Sequence, residues 1–460
     1  MGRLIVSLSF PAMAGMVISA FFALIDTFFV SRLGSSALAA LTFCIPIEIL
    51  LTSTGAATGV GITSLLARTL GKKNYIEADN IAWHGLIIAV IYSGFFSWLG
   101  LVSLEKLLFI FGCSPKIFPL CRDYLFIILT GSVFTFIPMI AAHIVQGEGN
   151  TRLPMLCNIV AISLNVLLDP LLIFGLGTLP ALGIRGAALA TVLSQVICTA
   201  MFIYLMFKDK ILLSWKPAHF RPRTSVLAGI YRVGMPSLVM ELLAVIIMSY
   251  LNKVLVSFDY TAVAALGVFF RIRSIFYMPV YGLAQAAMPI AGFAYGARQP
   301  DRVKETIFKA SILSVVILII AWLVMHHYSR ELMGIFSKDP VLMSMGVDCL
   351  KLATLFLPVM GPIIILNNVL QALGKGTAAM YLSLLRQLGI FLPSLIILPI
   401  YFGIKGVWLA FSLTELLSAF VALLFFINLW IQLQERRRYT LLMLRRRGYF
   451  KRRFLSWLKW

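Results

Sequence analysis

The sequence predicts an all-α polytopic membrane protein, in which twelve transmembrane helices form two parallel-repeat six-helix lobes around a central cleft. Three observations predict this class. Of the 460 residues, 60% are hydrophobic and 12% are charged, whereas about a quarter of a soluble domain is charged. Apolar windows long enough to cross a bilayer recur twelve times along the chain. Motifs of the first half recur in the second half at an offset of about 225 residues, which falls to about 220 for the last matched segment.

The apolar windows set the number of helices, because a transmembrane helix needs about 20 predominantly apolar residues. The first window is interpreted as a membrane span rather than a signal peptide, because its apolar run is too long and contains the carboxylate of Asp26. We expect spans near residues 8–30, 37–66, 81–103, 122–145, 153–175, 184–207, 230–256, 262–294, 306–327, 345–371, 378–402 and 406–432.

The basic residues indicate the side of the membrane on which each loop lies. The net charge is +21, but it lies in short loops and a tail, so no nucleic-acid partner is expected. Every second loop carries a group of basic residues, and the same side ends in the basic tail from Arg436 to Trp460. The loop residues are Arg68, Lys72, Lys73, Arg152, Lys208, Lys210, Lys216, Arg221, Arg223, Arg298, Arg302, Lys304 and Lys375. The positive-inside rule predicts a multi-pass plasma-membrane protein with both termini in the cytoplasm.

An internal repeat relates the two halves of the chain. Five segments match in order, namely Pro11 with Pro236, Ala37–Leu41 with Ala262–Leu266, Gly71 with Gly296, Gln146 and Gly149 with Gln371 and Gly374, and Gly183–Ala190 with Gly403–Ala410. Each half has six spans, so both halves cross the membrane in the same direction. A pseudo-two-fold axis along the membrane normal is expected to relate them.

The repeat predicts four segments. Residues 1–207 form an N-terminal six-helix lobe, 208–229 a basic cytoplasmic linker, 230–432 a C-terminal six-helix lobe, and 433–460 a basic tail on the cytoplasmic membrane surface. Two similar bundles around a cleft are typical of transporters that expose a midplane site to each side in turn. A channel is not favoured, because the sequence has no carbonyl-lined filter motif.

Asp26 is the first candidate site residue, because a carboxylate within a membrane helix is costly and usually functional. Pro11 gives the same helix a place to bend. Asn165 and Asp169 are four residues apart, so a helix presents both on one face. With Asp26 they could form an oxygen-lined pocket for a proton or a sodium ion, to which Thr191 adds a hydroxyl. A helix break at Asp169 and a plain helix contact at Thr191 stay open as alternatives.

A second group of candidates would contact an exported compound. Binding of varied organic cations needs aromatic and methionine surface together with acidic groups. The candidate substrate-binding residues are Glu241, Gln146, Phe136, Tyr277 and Met278. For Glu241 an ion pair with a nearby Arg or Lys is the alternative. Glu48 and Glu415 are further acids within spans, and Arg271 or Arg273 could neutralise one of these carboxylates.

Three stretches carry a resemblance to a known family. Gly147–Gln195 reads GEGNTRLPMLCNIVAISLNVLLDPLLIFGLG and continues with GIRGAALATVLSQ, and it closely resembles the signature region of the multidrug and toxic compound extrusion (MATE) transporters. Ile25–Gly34, which reads IDTFFVSRLG, and Ala67–Asn74, which reads ARTLGKKN, resemble the same family. The resemblance extends from Pro11 to Leu429 and is strongest in the first half.

The resemblance implies twelve helices in two lobes and the export of cationic, amphipathic compounds in exchange for protons or sodium. It also implies that a proline and an aspartate on the first helix act with an asparagine and an aspartate on the fifth. Pro11, Asp26, Asn165 and Asp169 match these positions. The second-lobe cation site of the sodium-coupled branch is not matched, because the tenth span has Asp348 only near its start.

We therefore predict a secondary active antiporter, not an enzyme, that exports organic cations or drugs by alternating access. It is expected to need no cofactor and no metal other than a coupling ion, H+ or Na+, bound at Asp26, Asn165 and Asp169. Its expected partners are small cationic or amphipathic compounds and membrane lipids, and it is expected to be a monomer. The alternative is a flippase for lipid-linked saccharides or other lipid-like substrates. Since Leu251 stands where the repeat places Asp26, the ion switch is expected in the N-terminal lobe alone.

Overall fold

The computed structural model describes residues 2–110, 113–175, 180–208, 213–337 and 339–457. Within its helices, the side chains at 20–24, 26, 27, 31, 35, 110, 207, 208 and 439–457 lie outside the description. The described residues contain no β-strand. Ten of their helices are long and apolar enough to cross a membrane, and two bent helix pairs raise the number of spans to twelve. The predicted all-α class with twelve spans is confirmed.

The spans form two sets of six, numbered here α1 to α12. The first set is α1 Gly2–Ser31, α2 Ser35–Gly71, α3 Tyr75–Phe109, α4 Phe118–Thr130 with Val133–Gly147, α5 Arg152–Phe174 and α6 Ile184–Lys208. The second set is α7 Thr224–Val256, α8 Tyr260–Gly296, α9 Pro300–His327, α10 Pro340–Ala353 with Leu357–Ala372, α11 Gly376–Phe402 and α12 Ile404–Trp457. Both α3 and α11 contain a π-helical turn, at Leu99–Ser103 and Leu385–Phe391.

The two sets repeat the same local geometry. The two halves of α4 meet at 49° and those of α10 at 50°. Gly149 and Gly374 have φ angles of 88° and 77°, and Gly183 and Gly403 have 57° and 56°. All four lie in the left-handed region that favours glycine. These are the positions that the sequence repeat pairs, so the repeat is structural as well.

Each lobe has its own hydrophobic core. One buried cluster is built from residues between Ala40 and Ile230, and the other almost entirely from residues between Ile247 and Leu433. Ile5 is the exception, because it belongs to the second cluster although it lies on α1. The first half of α1 therefore packs on the C-terminal lobe. Large apolar side chains on the outer surface are exposed, as expected where a bundle faces lipid.

The lobes touch at the end of the bundle that carries most of the loop Lys and Arg residues, called the basic end below. A Cβ atom added at Gly71 of α2 would overlap the carbonyl oxygen of Phe293 on α8. A Cβ atom added at Gly296, the repeat partner of Gly71, would overlap the carbonyl oxygen of Arg68. The two helix backbones approach so closely here because glycine has no side chain.

The linker between the lobes packs on the basic end of α3. Helix α7 begins at Thr224, six residues before the predicted start of the C-terminal lobe. The buried Asp79 of α3 lies 2.5 Å from His219 Nδ1 of the linker. The ring of Trp215 packs edge-on against that of Trp83 with centroids 5.9 Å apart. These contacts hold the linker on the N-terminal lobe.

Helix α12 continues past residue 432, where the C-terminal lobe was predicted to end. The guanidinium of Arg436 lies over the ring of Tyr295, 3.7 Å from its centroid. Arg437 Nε lies 3.2 Å from Asp301 Oδ2. The predicted tail therefore begins as a helix that packs on α8 and α9. Its side chains from residue 439 onward lie outside the description, and its position on the membrane surface stays a prediction.

Candidate functional site

Helices α1 and α5 lie side by side. Asn158 Nδ2 of α5 donates to Ser19 Oγ of α1 at 2.8 Å. Both helices are odd-numbered spans and run in the same direction. Seven residues further along each helix lie Asp26 and Asn165, so the backbones of these two residues are at about the same level. The side chain of Asp26 lies outside the described residues.

Asn165, Asp169 and Thr191 form a polar cluster between α5 and α6. Asn165 Nδ2 lies 3.4 Å from both Asp169 Oδ1 and Thr191 Oγ1. Thr191 Oγ1 also donates to the carbonyl oxygen of Ala187 at 3.1 Å. Asp169 has 0% of its surface exposed. The structure thus brings three of the four predicted ion-coupling residues together.

The chemistry of this cluster suits a small cation. An ionised carboxylate accepts hydrogen bonds from the Asn165 amide, whereas a protonated one has a donor of its own. The carboxylate, amide and hydroxyl oxygens are also the ligands that hard cations prefer. The described residues contain no group of three or more His, Cys, Asp or Glu side chains placed to hold a metal. The donors and acceptors of the cluster are compatible with a proton on Asp169 and with a cation bound by these oxygens.

A cavity of about 350 Å³ opens beside α1 in the N-terminal lobe. Pro11 and Ser19 of α1 line it, and so do Gln146 of α4 and Gln195 of α6. Gln146 Oε1 is buried and has no hydrogen-bond partner among the described residues. The described lining is polar and apolar but contains no charged side chain. Helix α1 runs unbroken through Pro11, and the predicted bend there stays a prediction.

A larger cavity of about 670 Å³ lies between α2 and the C-terminal lobe. Its lining comes from α2, α7, α8, α10, the π-helical turn of α11, and α12. Aromatic rings supply much of the surface, namely Phe270, Tyr277, Tyr281, Phe391 and Phe411. A second cavity of about 340 Å³ shares part of this lining, including Glu241 and Arg386. Volumes of 300–1,000 Å³ are typical of sites for drug-sized ligands.

Four ionisable side chains with opposite charges line the larger cavity: Glu241, Glu415, Arg273 and Arg386. Glu415 is 6% exposed, and Tyr277 Oη donates to its Oε1 at 3.4 Å. Glu241 is exposed to the cavity and forms no ion pair within 4.0 Å with any described residue. No Arg or Lys side chain that the structure describes therefore forms the ion pair considered as an alternative for Glu241.

The other predicted substrate-binding residues occupy different surroundings. Tyr277 lines the larger cavity, and Gln146 lines the one in the N-terminal lobe. Phe136 is completely buried and packs against Tyr92 and another aromatic ring of the core. Met278 is half-buried and lines none of these cavities. The structure corrects the interpretation of Phe136, since a core side chain of the N-terminal lobe cannot contact a ligand without repacking.

Arg386 and Gln387 line both cavities of the C-terminal lobe, yet they were not among the predicted site residues. An arginine in the middle of an apolar span was a signal that could have identified this position. The π-helical turn that carries both residues could not be identified in the same way. Such turns frequently occur at functional sites, because the inserted residue changes the direction of the side chains.

The comparisons with known proteins agree with these features. A family model described as MatE matches residues 11–171 and 236–397, two stretches that begin at Pro11 and Pro236. The protein named FAD transporter of Shewanella oneidensis is 30% identical over 420 residues, which cover 90% of this chain and 92% of that protein. The protein named multidrug export protein MepA of Staphylococcus saprophyticus is 25% identical over 422 residues, covering 90% and 91%.

Solved structures resemble the fold over almost its full length. One is described as the outward-facing conformation of a multidrug resistance MATE family transporter of the MOP superfamily. It matches with a TM-score of 0.89 and 26% identity, covering 95% of this chain and 97% of that one. Another is a MOP superfamily transporter from Pyrococcus furiosus, for which the reverse polarity of the binding pocket suggests a different function. It matches with a TM-score of 0.88 and 26% identity, covering 95% and 96%.

Proposed function

The chain belongs to the MatE family of transporters, and we propose that it is a secondary active antiporter that exports small organic compounds in exchange for protons or sodium ions. The buried cluster of Asn165, Asp169 and Thr191 carries this proposal. A carboxylate with no exposed surface in an apolar bundle is costly and is retained where it binds an ion. The names of the relatives support drugs and other small compounds as the cargo.

The coupling ion binds to the cluster together with Asp26 in this proposal. We assign this role to Asp26 because its backbone is level with that of Asn165. Ion binding can change the conformation only if the ion has different affinities for the two states. Helix α1 supplies that difference, because it carries Asp26 at one end and contacts the C-terminal lobe near Pro11.

The contact between the two lobes at the basic end supports alternating access. At the basic end Ser64 Oγ of α2 donates to the carbonyl oxygen of Gln371 on α10 at 2.5 Å. The residues of α2 that line the larger cavity, Ile49, Thr52 and Ser53, lie away from that end. The two lobes are thus closed at the basic end with a cavity beyond the closure. Bending of α1 at Pro11 would change the contact of Ala12 and Met13 with Gly282 of α8 and let the lobes rock.

The proposal includes the location, the oligomeric state and the orientation of the protein. We place the protein as a monomer in the plasma membrane, with the basic end and both termini in the cytoplasm. The compounds exported include the organic cations predicted from the sequence, for which Glu241 offers a carboxylate in the larger cavity. No cofactor takes part in this scheme, because the ion gradient supplies the free energy.

Ethidium efflux under imposed proton and sodium gradients tests the proposal. Asp169→Asn and Asp26→Asn should each reduce gradient-driven efflux at least tenfold. Typical coupling free energies between two sites correspond to effects of roughly 5- to 150-fold. Asp348→Asn is the matched control, since this carboxylate lies outside the cluster and pairs with Lys405 at 3.4 Å.

Full ion-coupled efflux in both Asp26→Asn and Asp169→Asn would contradict the coupling scheme. Reconstituted vesicles in which the protein moves a lipid-linked saccharide but not ethidium would favour the flippase instead. Both measurements need comparable protein levels, which immunoblots of the membrane fraction establish.

A further inference from the structure

Two arginines line the larger cavity and form no ion pair with a carboxylate that the structure describes. Arg273 of α8 and Arg386 of α11 both contribute to its wall. Neither has a carboxylate oxygen of any described residue within 4.0 Å. Arg386 Nη1 lies 3.6 Å from the sulfur of Met360, which is a weak acceptor. Guanidinium groups inside a membrane bundle are costly, so two of them in one cavity indicate a function.

Arg273 uses its flat face for protein contacts and keeps its edge available. Its Cζ lies 4.6 Å from the ring centroid of Tyr277, 5.0 Å from that of Phe270 and 5.5 Å from that of Phe269. A stacked guanidinium is fixed in orientation while its N–H donors point outward in the plane. These donors make no hydrogen bond to any residue that the structure describes. They match the geometry of a carboxylate or a phosphate.

The two carboxylates that line the cavity do not accept hydrogen bonds from these N–H donors. Glu415 is within electrostatic range of both arginines, but its hydrogen bond comes from Tyr277. Glu241 lies on α7, where the cavity continues into its smaller neighbour. The two carboxylates match the two guanidiniums in charge, but no described carboxylate oxygen lies within 4.0 Å of either guanidinium. A bound carboxylate or phosphate would supply the acceptor that the N–H donors of the two arginines lack.

The rings around the arginines add a second requirement for the ligand. Phe391 and Phe411 have centroids 4.9 Å apart, and Phe270 and Tyr281 line the same space. Aromatic ligands gain from offset or edge-on contact with such rings. We infer that the larger cavity binds aromatic compounds that carry a phosphate or carboxylate group, with Arg273 and Arg386 as the anion-binding pair. The inference rests on the proposed export function, because it adds this class to the exported compounds.

Binding of two flavins that differ in one group tests the inference. Flavin mononucleotide carries a phosphate that riboflavin lacks, while both share the aromatic ring system. Purified protein in discs of neutral lipid should bind flavin mononucleotide at least tenfold more tightly than riboflavin, measured by quenching of flavin fluorescence. Arg273→Gln and Arg386→Gln should each weaken flavin mononucleotide binding about tenfold and leave riboflavin within about threefold.

Arg271→Gln is the matched control. Arg271 is exposed on the same helix as Arg273 and does not line the cavity, so its loss should change neither affinity. Equal affinity of the wild-type protein for both flavins would overturn the inference, and so would an equal effect of Arg271→Gln. If the glutamine variants melt early, Arg273→Lys and Arg386→Lys keep the charge but lose the paired donors, and they should still reduce the preference for flavin mononucleotide.

Two further measurements distinguish a lipid headgroup from a soluble anion in the cavity, and separate this inference from the proposed antiport. If discs of phosphatidylglycerol abolish the preference for flavin mononucleotide, a lipid headgroup occupies the arginine pair and the inference is overturned. If the preference survives those discs, the site belongs to soluble aromatic anions. Ethidium efflux that persists while flavin mononucleotide fails to bind would overturn this inference alone and leave the proposed antiport intact.

Discussion

Gly282 of α8 lies where the two lobes touch beside Pro11, and its replacement by alanine should push them apart. A Cβ atom at Gly282 would lie 2.6 Å from the Cα and N atoms of Met13 and 2.8 Å from the carbonyl carbon of Ala12. Ordinary contact begins at 3.4 Å, so α1 and α8 must separate by roughly 0.8 Å. All three contacted atoms belong to the backbone, so no side-chain rotation relieves the overlap.

The magnitude follows from two opposing terms. Forcing one extra methyl group into a packed contact costs about 1–3 kcal/mol, whereas Gly to Ala within a helix gains about 1 kcal/mol. Gly267→Ala measures the second term alone, because Gly267 is on the same helix and has open space around its Cβ position. The difference between the two variants is therefore about 1–3 kcal/mol against the state closed at the basic end. That corresponds to a shift of roughly 5- to 150-fold in the ratio of the two states.

Distances between spin labels measure this shift directly. Lys72 of the N-terminal lobe and Gln299 of the C-terminal lobe are both exposed at the basic end and can carry the labels. In Gly282→Ala the distance distribution should broaden toward longer values, and drug efflux should fall with it. Gly267→Ala should keep the distribution of the parent protein. Identical distributions in both variants would refute the argument that the backbone contact at Gly282 holds the closed state.

Two further predictions concern the loops. Trp215→Ala should lower the stability of the N-terminal lobe by about 3–5 kcal/mol, because the buried ring of Trp215 packs on Trp83. The loss is measured as a lower melting temperature. Trp98→Ala removes an exposed ring and should change the melting temperature little, so equal losses in the two variants would argue against docking of the linker. Asp259 accepts the backbone N–H of Thr261 at 2.7 Å, and this bond lowers the pKa of its carboxyl group. Its stabilising effect is therefore complete at neutral pH and is lost as the pH falls through that lowered pKa. Melting curves of Asp259→Asn should show less loss of stability in acid than those of the parent, and parallel acid profiles would contradict the capping role.

Local patterns were enough to predict much of the fold and part of the site. Span length and hydropathy predicted the twelve helices, because in a bilayer every backbone group must be satisfied within a helix. The repeat predicted pairs such as Gly149 with Gly374, because both need a left-handed backbone. The spacing of Asn165 and Asp169 predicted a shared face, since four residues complete about one helical turn.

Other features depend on which face of each helix turns inward. Lipid-facing and core-facing surfaces are both apolar in a membrane protein, so hydropathy does not mark the inner face. For this reason the sequence could not distinguish Phe136, which lies in the core, from Tyr277, which lines a cavity, and both were predicted to bind substrate. The π-helical turn at Arg386 was equally hidden, because it depends on the hydrogen bonds that the folded helix adopts.

By itself the sequence determined the number of spans, their repeat and the residues of α5 that share a face, all of which depend on neighbours close in the chain. Only the tertiary structure decided that Thr191 completes the cluster of Asp169, that α1 contacts α8 beside Pro11, and that Arg273 and Arg386 line one cavity. These pairs come from different helices, and their meeting depends on how the helices pack and rotate. Interhelical packing is set by shape and close contact across the bundle, which no local pattern encodes.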